Sequence, residues 1–211
     1  MKKQYIQLYK TAVILFLTAT ISANAENDTP LDKFLNKLDT FQADFKQTLI
    51  NEKGEELETV TGIVYMQSPG KFRWDYKDPY SQIIITDGIT LWIYDKDLEQ
   101  VTIKDISGTI DDTPAAILSG EENINEHFVI IPMGDIYGYD WIELTPKDIE
   151  NQYSRIRMGF DKDKLGMMVM FDNLGQTTRI DFQNSRRNKS LESSLFTFEP
   201  PEGVDVIDDR S

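Results

Sequence analysis

From Phe41 to Phe198 apolar residues return at every second position. The series runs Phe41, Ala43 and Phe45; Ile63 and Tyr65; Phe72, Trp74 and Tyr76; Ile83 and Ile85; Leu91 and Ile93; Val101 and Ile103; Val129 and Ile131; Trp141, or else Ile142 and Leu144; Ile156, Met158 and Phe160; Met167, Val169 and Phe171; Ile180 and Phe182; then Phe196 and Phe198. Successive side chains of a β-strand point to opposite faces, so this period predicts roughly ten or more strands. The joints carry hairpin chemistry. NEKGE, TDGIT, DKDKLG and DNLGQ put Asn, Asp and Gly where a tight turn or a positive φ is wanted. Hairpin following hairpin implies antiparallel order, and hence a curved sheet or barrel.

Two stretches leave this period. TPLDKFLNKLDTF offers Thr29 as N-cap, Pro30 at N1 and Asp32 three residues after the cap, with Leu31, Phe34, Leu35 and Leu38 on one face. That predicts an amphipathic helix over 30–39. DDTPAAILSG places Thr113 at a second N-cap, Pro114 at N1 and Gly120 as a stop, and EENINEH after it offers a further short helix. A helix of about two turns is not stable alone, so it must lie on an apolar surface. The expectation is one large curved sheet with two or three small helices, without internal repeats.

A half-buried antiparallel strand has one apolar and one wet face, yet IIITDGITLWIY and LGMMVMFD are apolar on both. Two readings follow. These are central strands held between helices and a second layer, or one side of a curved sheet lines a hollow for a large apolar ligand. Met167, Met168 and Met170 suit the second because unbranched thioethers adapt to varied shapes, though they also serve as gap fillers.

The first 25 residues change the picture of where the chain resides. Lys2, Lys3 and Lys10 precede an apolar run from Ala12 to Leu17, continuing weakly to Ile21, and Ala23-Asn24-Ala25 is an A-x-A cleavage site. Thr18, Thr20, Ser22 and Asn24 interrupt the run too soon for a bilayer span. The segment reads as a secretory signal peptide, leaving a single domain over 26–211. Its removal takes three lysines and no acidic residue, so 19 basic residues face 36 acidic ones and the net charge moves from −14 to −17. That balance excludes phosphate-backbone binding and disfavours anionic membrane surfaces, while it suits basic partner surfaces. With no cysteine, an exported domain relies on its core alone.

The order F-x-A-D-F-x-Q from Phe41, GIVYMQSPGKFRWDY from Gly62, DGITLWIYDKDLEQV from Asp87, DDTPAAIL from Asp111 and the late F-x-F-x-P-P-x-G-V-D-V from Phe196 resembles the outer-membrane lipoprotein carrier proteins of the LolA family, over essentially the whole mature chain. The resemblance implies a mainly β fold, an incomplete, half-open antiparallel β-barrel lidded by short α-helices that shields the acyl chains of lipoproteins in the periplasm of a Gram-negative bacterium. It implies as partners an inner-membrane lipoprotein-releasing ABC transporter that delivers cargo and an outer-membrane lipoprotein receptor that accepts it. It implies no cofactor and no enzymatic activity, and a monomer is expected. The acyl-binding lining would come from Leu35, Phe45, Phe72, Trp74, Tyr76, Ile84, Leu91, Ile93, Met168 and Met170. The lid would be Pro114, Ala115, Ala116, Ile117 and Leu118, its alanines allowing close backbone approach. Phe72, Trp74 and Tyr76 alternate with Lys71, Arg73 and Asp75, so the aromatics share one face. The family often has an arginine just before the proline of the P-G-K-F-R-W segment, resembling a latch to the lid. Here that position is Ser68, whose hydroxyl offers less than the five donors of a guanidinium. Either the lid is looser or another residue, with Arg73 a candidate, is the latch.

Other features read plainly. His127 is the single histidine and no cysteine accompanies it, which argues against a metal site. No G-x-S-x-G elbow is present for Ser-His catalysis, and carboxylates are too many to single out a glycosidase pair. RRNK at Arg186 to Lys189 reads as a solvated loop. Asp111-Asp112 and Glu121-Glu122 suit helix N-termini or a basic docking surface. Two rival classes are a periplasmic lipid-sensing regulator with the same half-barrel and a small hydrolase using the cavity.

Overall fold

The computed structural model describes residues 28–106, 118 and 124–210. The expected signal peptide and the expected lid positions Pro114, Ala115, Ala116 and Ile117 lie outside the described residues. So do Asp111-Asp112 and Glu121-Glu122.

Helix α1 spans Pro30–Leu35. Its start is the capping box: the Thr29 hydroxyl accepts from the Asp32 amide (3.1 Å) and the Asp32 carboxylate accepts from the Thr29 amide (2.8 Å). It stops short of the expected 39 because tertiary hydrogen bonds take over. Lys37 turns left-handed (φ 55), and Asn188 accepts from the Asp39 amide (2.9 Å) while donating to the Lys37 carbonyl (2.8 Å). These bonds turn the chain from helix into sheet.

The strands are β1 (Thr40–Ile50), β2 (Glu56–Gln67), β3 (Lys71–Asp78), β4 (Gln82–Thr86), β5 (Thr90–Asp95), β6 (Gln100–Asp105), β7 (Phe128–Ile136), β8 (Tyr139–Pro146), β9 (Tyr153–Asp161), β10 (Lys164–Asp172), β11 (Thr177–Arg187) and β12 (Asp205–Asp208). A four-residue helix, α2 (Ile124–His127), leads directly into β7. All twelve strands form one sheet in the order β12-β6-β5-β4-β3-β2-β1-β11-β10-β9-β8-β7. The two ends, β12 and β7, are not paired to each other, so the barrel is half-open. Every pairing is antiparallel, as the hairpins predict, except the added edge pair of β12 with β6, which is parallel. β12 arrives from a distant C-terminal segment rather than from a hairpin.

Register decides which face each side chain takes. On β1, Phe41, Ala43 and Phe45 stand opposite Met66, Val64 and Gly62, and all but the glycine join the main apolar cluster. The inward set of β2 is therefore Val64 and Met66, whereas the expected Ile63 and Tyr65 face outward. Gly62 has a steric reason: a Cβ there would collide with the Asp75 carbonyl and the Phe45 ring. Val129 and Ile131 are likewise turned out and roughly half exposed on edge strand β7 (48% and 45%), while Phe128 and Ile130 pack inward. On β8 the inward pair is Ile142 and Leu144.

The outer face accounts for the strands that are apolar on both sides. Ile83, Ile85, Val101 and Ile103 are buried and share register with Trp92 and Tyr94. Phe196 and Phe198, expected as a strand, instead lie in a short 3₁₀ turn (Ser193–Phe196) and the extended chain after it. Phe198 packs on Trp92 (6.4 Å) and Tyr94 (5.5 Å), and Phe196 is almost wholly buried. This C-terminal segment is the cover of that half of the outer face. Over β7 to β10 the outer face instead carries an open groove of about 330 Å³ between Met133, Tyr139, Trp141, Met167, Val169 and Phe171, where Arg155 and Arg157 stack on the Phe171 ring at 4.2 and 5.3 Å.

Candidate functional site

The inner face is crossed by a chain of ring contacts that begins on α1 and ends at the turn between β3 and β4. Phe34 meets Phe160 (5.8 Å) and Phe41 (5.5 Å), Phe41 meets Phe182 (6.2 Å), and Phe182 meets Trp74 (6.4 Å). Trp74 meets Phe45 (5.1 Å), Phe45 meets Tyr76 (5.3 Å), and Tyr76 stacks on Tyr80 (6.1 Å). Helix α1 and strands β1, β3, β9 and β11 supply all of these rings but Tyr80, which comes from the turn between β3 and β4. Edge-to-face and offset pairs contribute about 0.5–1.5 kcal/mol each beyond the area they bury.

Ten lining residues were expected from sequence, and the structure gathers all ten in one cluster. Phe45, Phe72, Trp74, Leu91, Met168 and Met170 are buried in it, and Leu35, Tyr76, Ile84 and Ile93 are partly buried against it. Leu118, the one described residue of the expected lid, is buried in the same cluster. A hollow of about 220 Å³ lies between α1, β1 and Leu118, lined by Leu31, Leu35, Leu38, Phe41, Met66, Ser68, Ile124 and Ile130 among others.

Sequence reasoning did not single out Phe34, Phe41, Phe160 and Phe182 as lining, though they are central to the ring chain. Phe34 recurs three residues after Leu31, and Phe41 shares the phase of Phe45. That periodicity was signal enough.

The two latch candidates separate. Ser68 borders the hollow beside Leu118, and its amide donates to the Asp39 carbonyl (2.9 Å). Arg73 points the other way: its guanidinium pairs with Asp75 (2.7 Å) and reaches the Leu195 carbonyl (3.5 Å) on the outer face. Alternation along β3 puts Arg73 on the face opposite Trp74, so it does not fit an inward latch. A clamp exists elsewhere. Arg187 donates to the carbonyls of Phe34 (2.5 Å) and Asn36 (3.4 Å), pairs with Asp163 (3.3 Å) and stacks on the Phe34 ring at 5.2 Å. The RRNK stretch, expected as a solvated loop, thus includes the end of β11 and the tie that holds α1.

Polar groups on the inner face are few and neutral at its centre. Burial pushes the Tyr76 phenol well above its ordinary value near 10, with Tyr80 and Tyr153 adding in the same direction. It remains a protonated donor across the physiological range. The Trp74 indole N–H is buried without a hydrogen-bond partner among the described residues. His127 is at the end of α2, where it lines a separate hollow with Phe128, Pro146, Lys147, Asp148 and Asn151. Among the described residues no three His, Cys, Asp or Glu side chains cluster as they would around a metal. The chemistry this face offers is apolar enclosure.

Comparison with known proteins follows the same line. The family model described as outer membrane lipoprotein carrier protein LolA matches residues 36–199. The chain is 42% identical over 205 residues to the outer-membrane lipoprotein carrier protein of Methylococcus capsulatus, covering 96% of this chain and 99% of that one. To the carrier protein of the same description from Nitrosospira multiformis it is 37% identical over 195 residues, covering 92% and 94%. Among solved structures, an uncharacterized conserved protein from Thermus thermophilus aligns with a TM-score of 0.57 over 85% of this chain and 96% of that one. At 12% identity that likeness bears on the fold alone. Since the family model spans most of the sequence and these relatives align over nearly its full length, the chain belongs to the LolA family of outer-membrane lipoprotein carrier proteins.

Proposed function

We propose that this protein is a periplasmic chaperone that encloses the acyl chains of lipoproteins and carries them from the inner to the outer membrane. The observation that carries the reading is the ring-lined inner face of an open sheet, covered by a six-residue helix and Leu118 with a hollow between them. An acyl chain in water costs about 0.8 kcal/mol per CH₂, so a lipidated protein cannot cross an aqueous compartment exposed. Transfer from a bilayer into an apolar cavity exchanges one greasy surrounding for another. Binding is then close to balanced against the membrane, and release needs no chemistry from the carrier.

In this reading the domain is the segment 26–211 left by signal-peptide cleavage, working as a monomer in a Gram-negative periplasm. An ABC transporter in the inner membrane supplies the energy and loads the cargo, and a receptor at the outer membrane accepts it. The ten clustered lining residues receive the acyl chains, the lid around Leu118 is displaced by them, and Ser68 sits where a latch would act. The net charge of −17 favours docking on basic partner surfaces. Cofactor, metal and catalytic group are unnecessary.

The test is to purify the mature protein from its native periplasm and measure intact mass and bound lipid. Acylated lipoprotein in stoichiometric amount is the expected result. A folded protein that brings only free lipid, or nothing, overturns the carrier reading.

A further inference from the structure

The ring chain of the inner face contains one group that hydrocarbon enclosure does not require. Trp74 is 3% exposed, and its Nε1–H is sealed from solvent with no acceptor among the described residues. Phenylalanine rings flank it, Phe45 at 5.1 Å and Phe182 at 6.4 Å. Buried indoles ordinarily find a hydrogen-bond partner, and a buried donor without one costs about 1–3 kcal/mol. Such an orphan in a native protein asks for an explanation, and an acceptor brought by a ligand supplies one. Water is poorly suited, because an apolar enclosure of this kind lacks the two or more polar partners that hold a buried water.

Two residues along the same strand and on the same face, Tyr76 carries a second neutral donor. Its ring packs on Phe45 at 5.3 Å, but the side chain is only partly buried, so its hydroxyl is not a sealed donor of the same kind. Both rings thus border one phenylalanine. Neither has a charge, so neither selects an anionic headgroup; what they match is a neutral carbonyl oxygen inside an otherwise hydrocarbon environment. Acyl chains carry such an oxygen at one point, the ester or amide that joins chain to head.

We propose that the Trp74 Nε1–H forms a carbonyl-binding subsite that recognises the ester or amide linkage of a bound acyl chain and so fixes how deep the chain sits. This rests on the inner face being the acyl-binding site. It adds a polar selection to it: the face distinguishes carbonyl-linked acyl chains from plain alkyl chains of equal length, at no cost in charge.

The experiment compares two probes, a monoacylglycerol and the alkyl ether of glycerol with the same chain length. The mature protein is labelled with ¹⁵N at the indole positions, and binding is measured by titration. Expected is that both probes bind, that the ester binds about five-fold tighter, in the range of one hydrogen bond, and that the Trp74 indole proton moves downfield with the ester and not with the ether. Trp74→Phe keeps a ring in place and should make the two affinities equal. Equal binding of both probes by the wild-type protein, with no ester-specific indole shift, overturns the subsite while leaving the apolar site standing. Binding of neither probe to folded protein overturns the acyl-binding reading and the subsite with it. The indole shift is read on the wild-type chain, so the test holds even if Trp74→Phe folds poorly.

Discussion

Tyr76 shows at the scale of one residue what enclosure does to chemistry. Its phenol is pushed well above the ordinary value near 10, first by burial and then by the neighbouring Tyr80 and Tyr153. The unfolded chain ionises this group near pH 10, whereas the folded chain keeps it neutral. Its contribution to stability is therefore complete below about pH 10 and is lost as pH rises from there towards the folded value. Urea denaturation midpoints should hold level up to about pH 9 and fall beyond about pH 10. Tyr76→Phe should remove the larger part of that fall. Some slope will remain, because burial raises Tyr65 and Tyr80 as well. An alkaline slope unchanged by the substitution would show that burial does not raise Tyr76 in solution.

At the scale of elements, the molecule is held by pieces that touch across long stretches of sequence. Arg187 reaches α1 over a separation of 153 residues. Replacing it by Met keeps an aliphatic stem against Phe34 but strips the carbonyls of Phe34 and Asn36 of their donor. Hydrogen bonds from a charged donor are worth about 1.5–3 kcal/mol, so Arg187→Met should speed amide exchange across residues 30–39 and lower the urea midpoint. Unaltered exchange there would mean that apolar burial of Leu31 and Phe34 alone holds the helix. The C-terminal segment invites a parallel test. Phe196→Ala should cost roughly 3–5 kcal/mol, the usual loss for a buried aromatic, and should red-shift the emission of Trp92 as its cover loosens. Neither contact was legible in the sequence. Alternation finds strands reliably, and here it located eleven of them. It is blind to phase where both faces are apolar, as with Ile63 and Tyr65, and on an edge strand such as β7. It also reads an extended cover such as Phe196-Thr197-Phe198 as a strand, because the residues alternate although no ladder bonds them. The inner-face residues were legible because Phe72, Trp74 and Tyr76 alternate with charges, which leaves a single choice of face. A clamp such as Arg187 leaves no local trace, since nothing in RRNK distinguishes a solvated guanidinium from a buried one.

For the whole molecule, the decisive property is that the sheet does not close. A closed barrel has a fixed circumference set by its strand number and stagger, while this sheet ends in two separate edge strands, β7 and β12. The hollow between α1, β1 and Leu118 measures about 220 Å³, and the apolar side chains of the inner face pack around it. Cargo must therefore make its own room. An open sheet can widen by separating its edges without breaking a single ladder hydrogen bond, which is the least costly deformation available to it. Ile131 and Val206 stand on the two edge strands, each 45% exposed, and the chain has no cysteine to remove. Spin labels attached at Ile131→Cys and Val206→Cys should therefore report a longer and narrower distance distribution when acylated cargo is bound than in the empty carrier. If the distribution stays the same while cargo is bound in full amount, the sheet is a rigid shell, and the room for acyl chains comes from displacement of α1 and Leu118 alone.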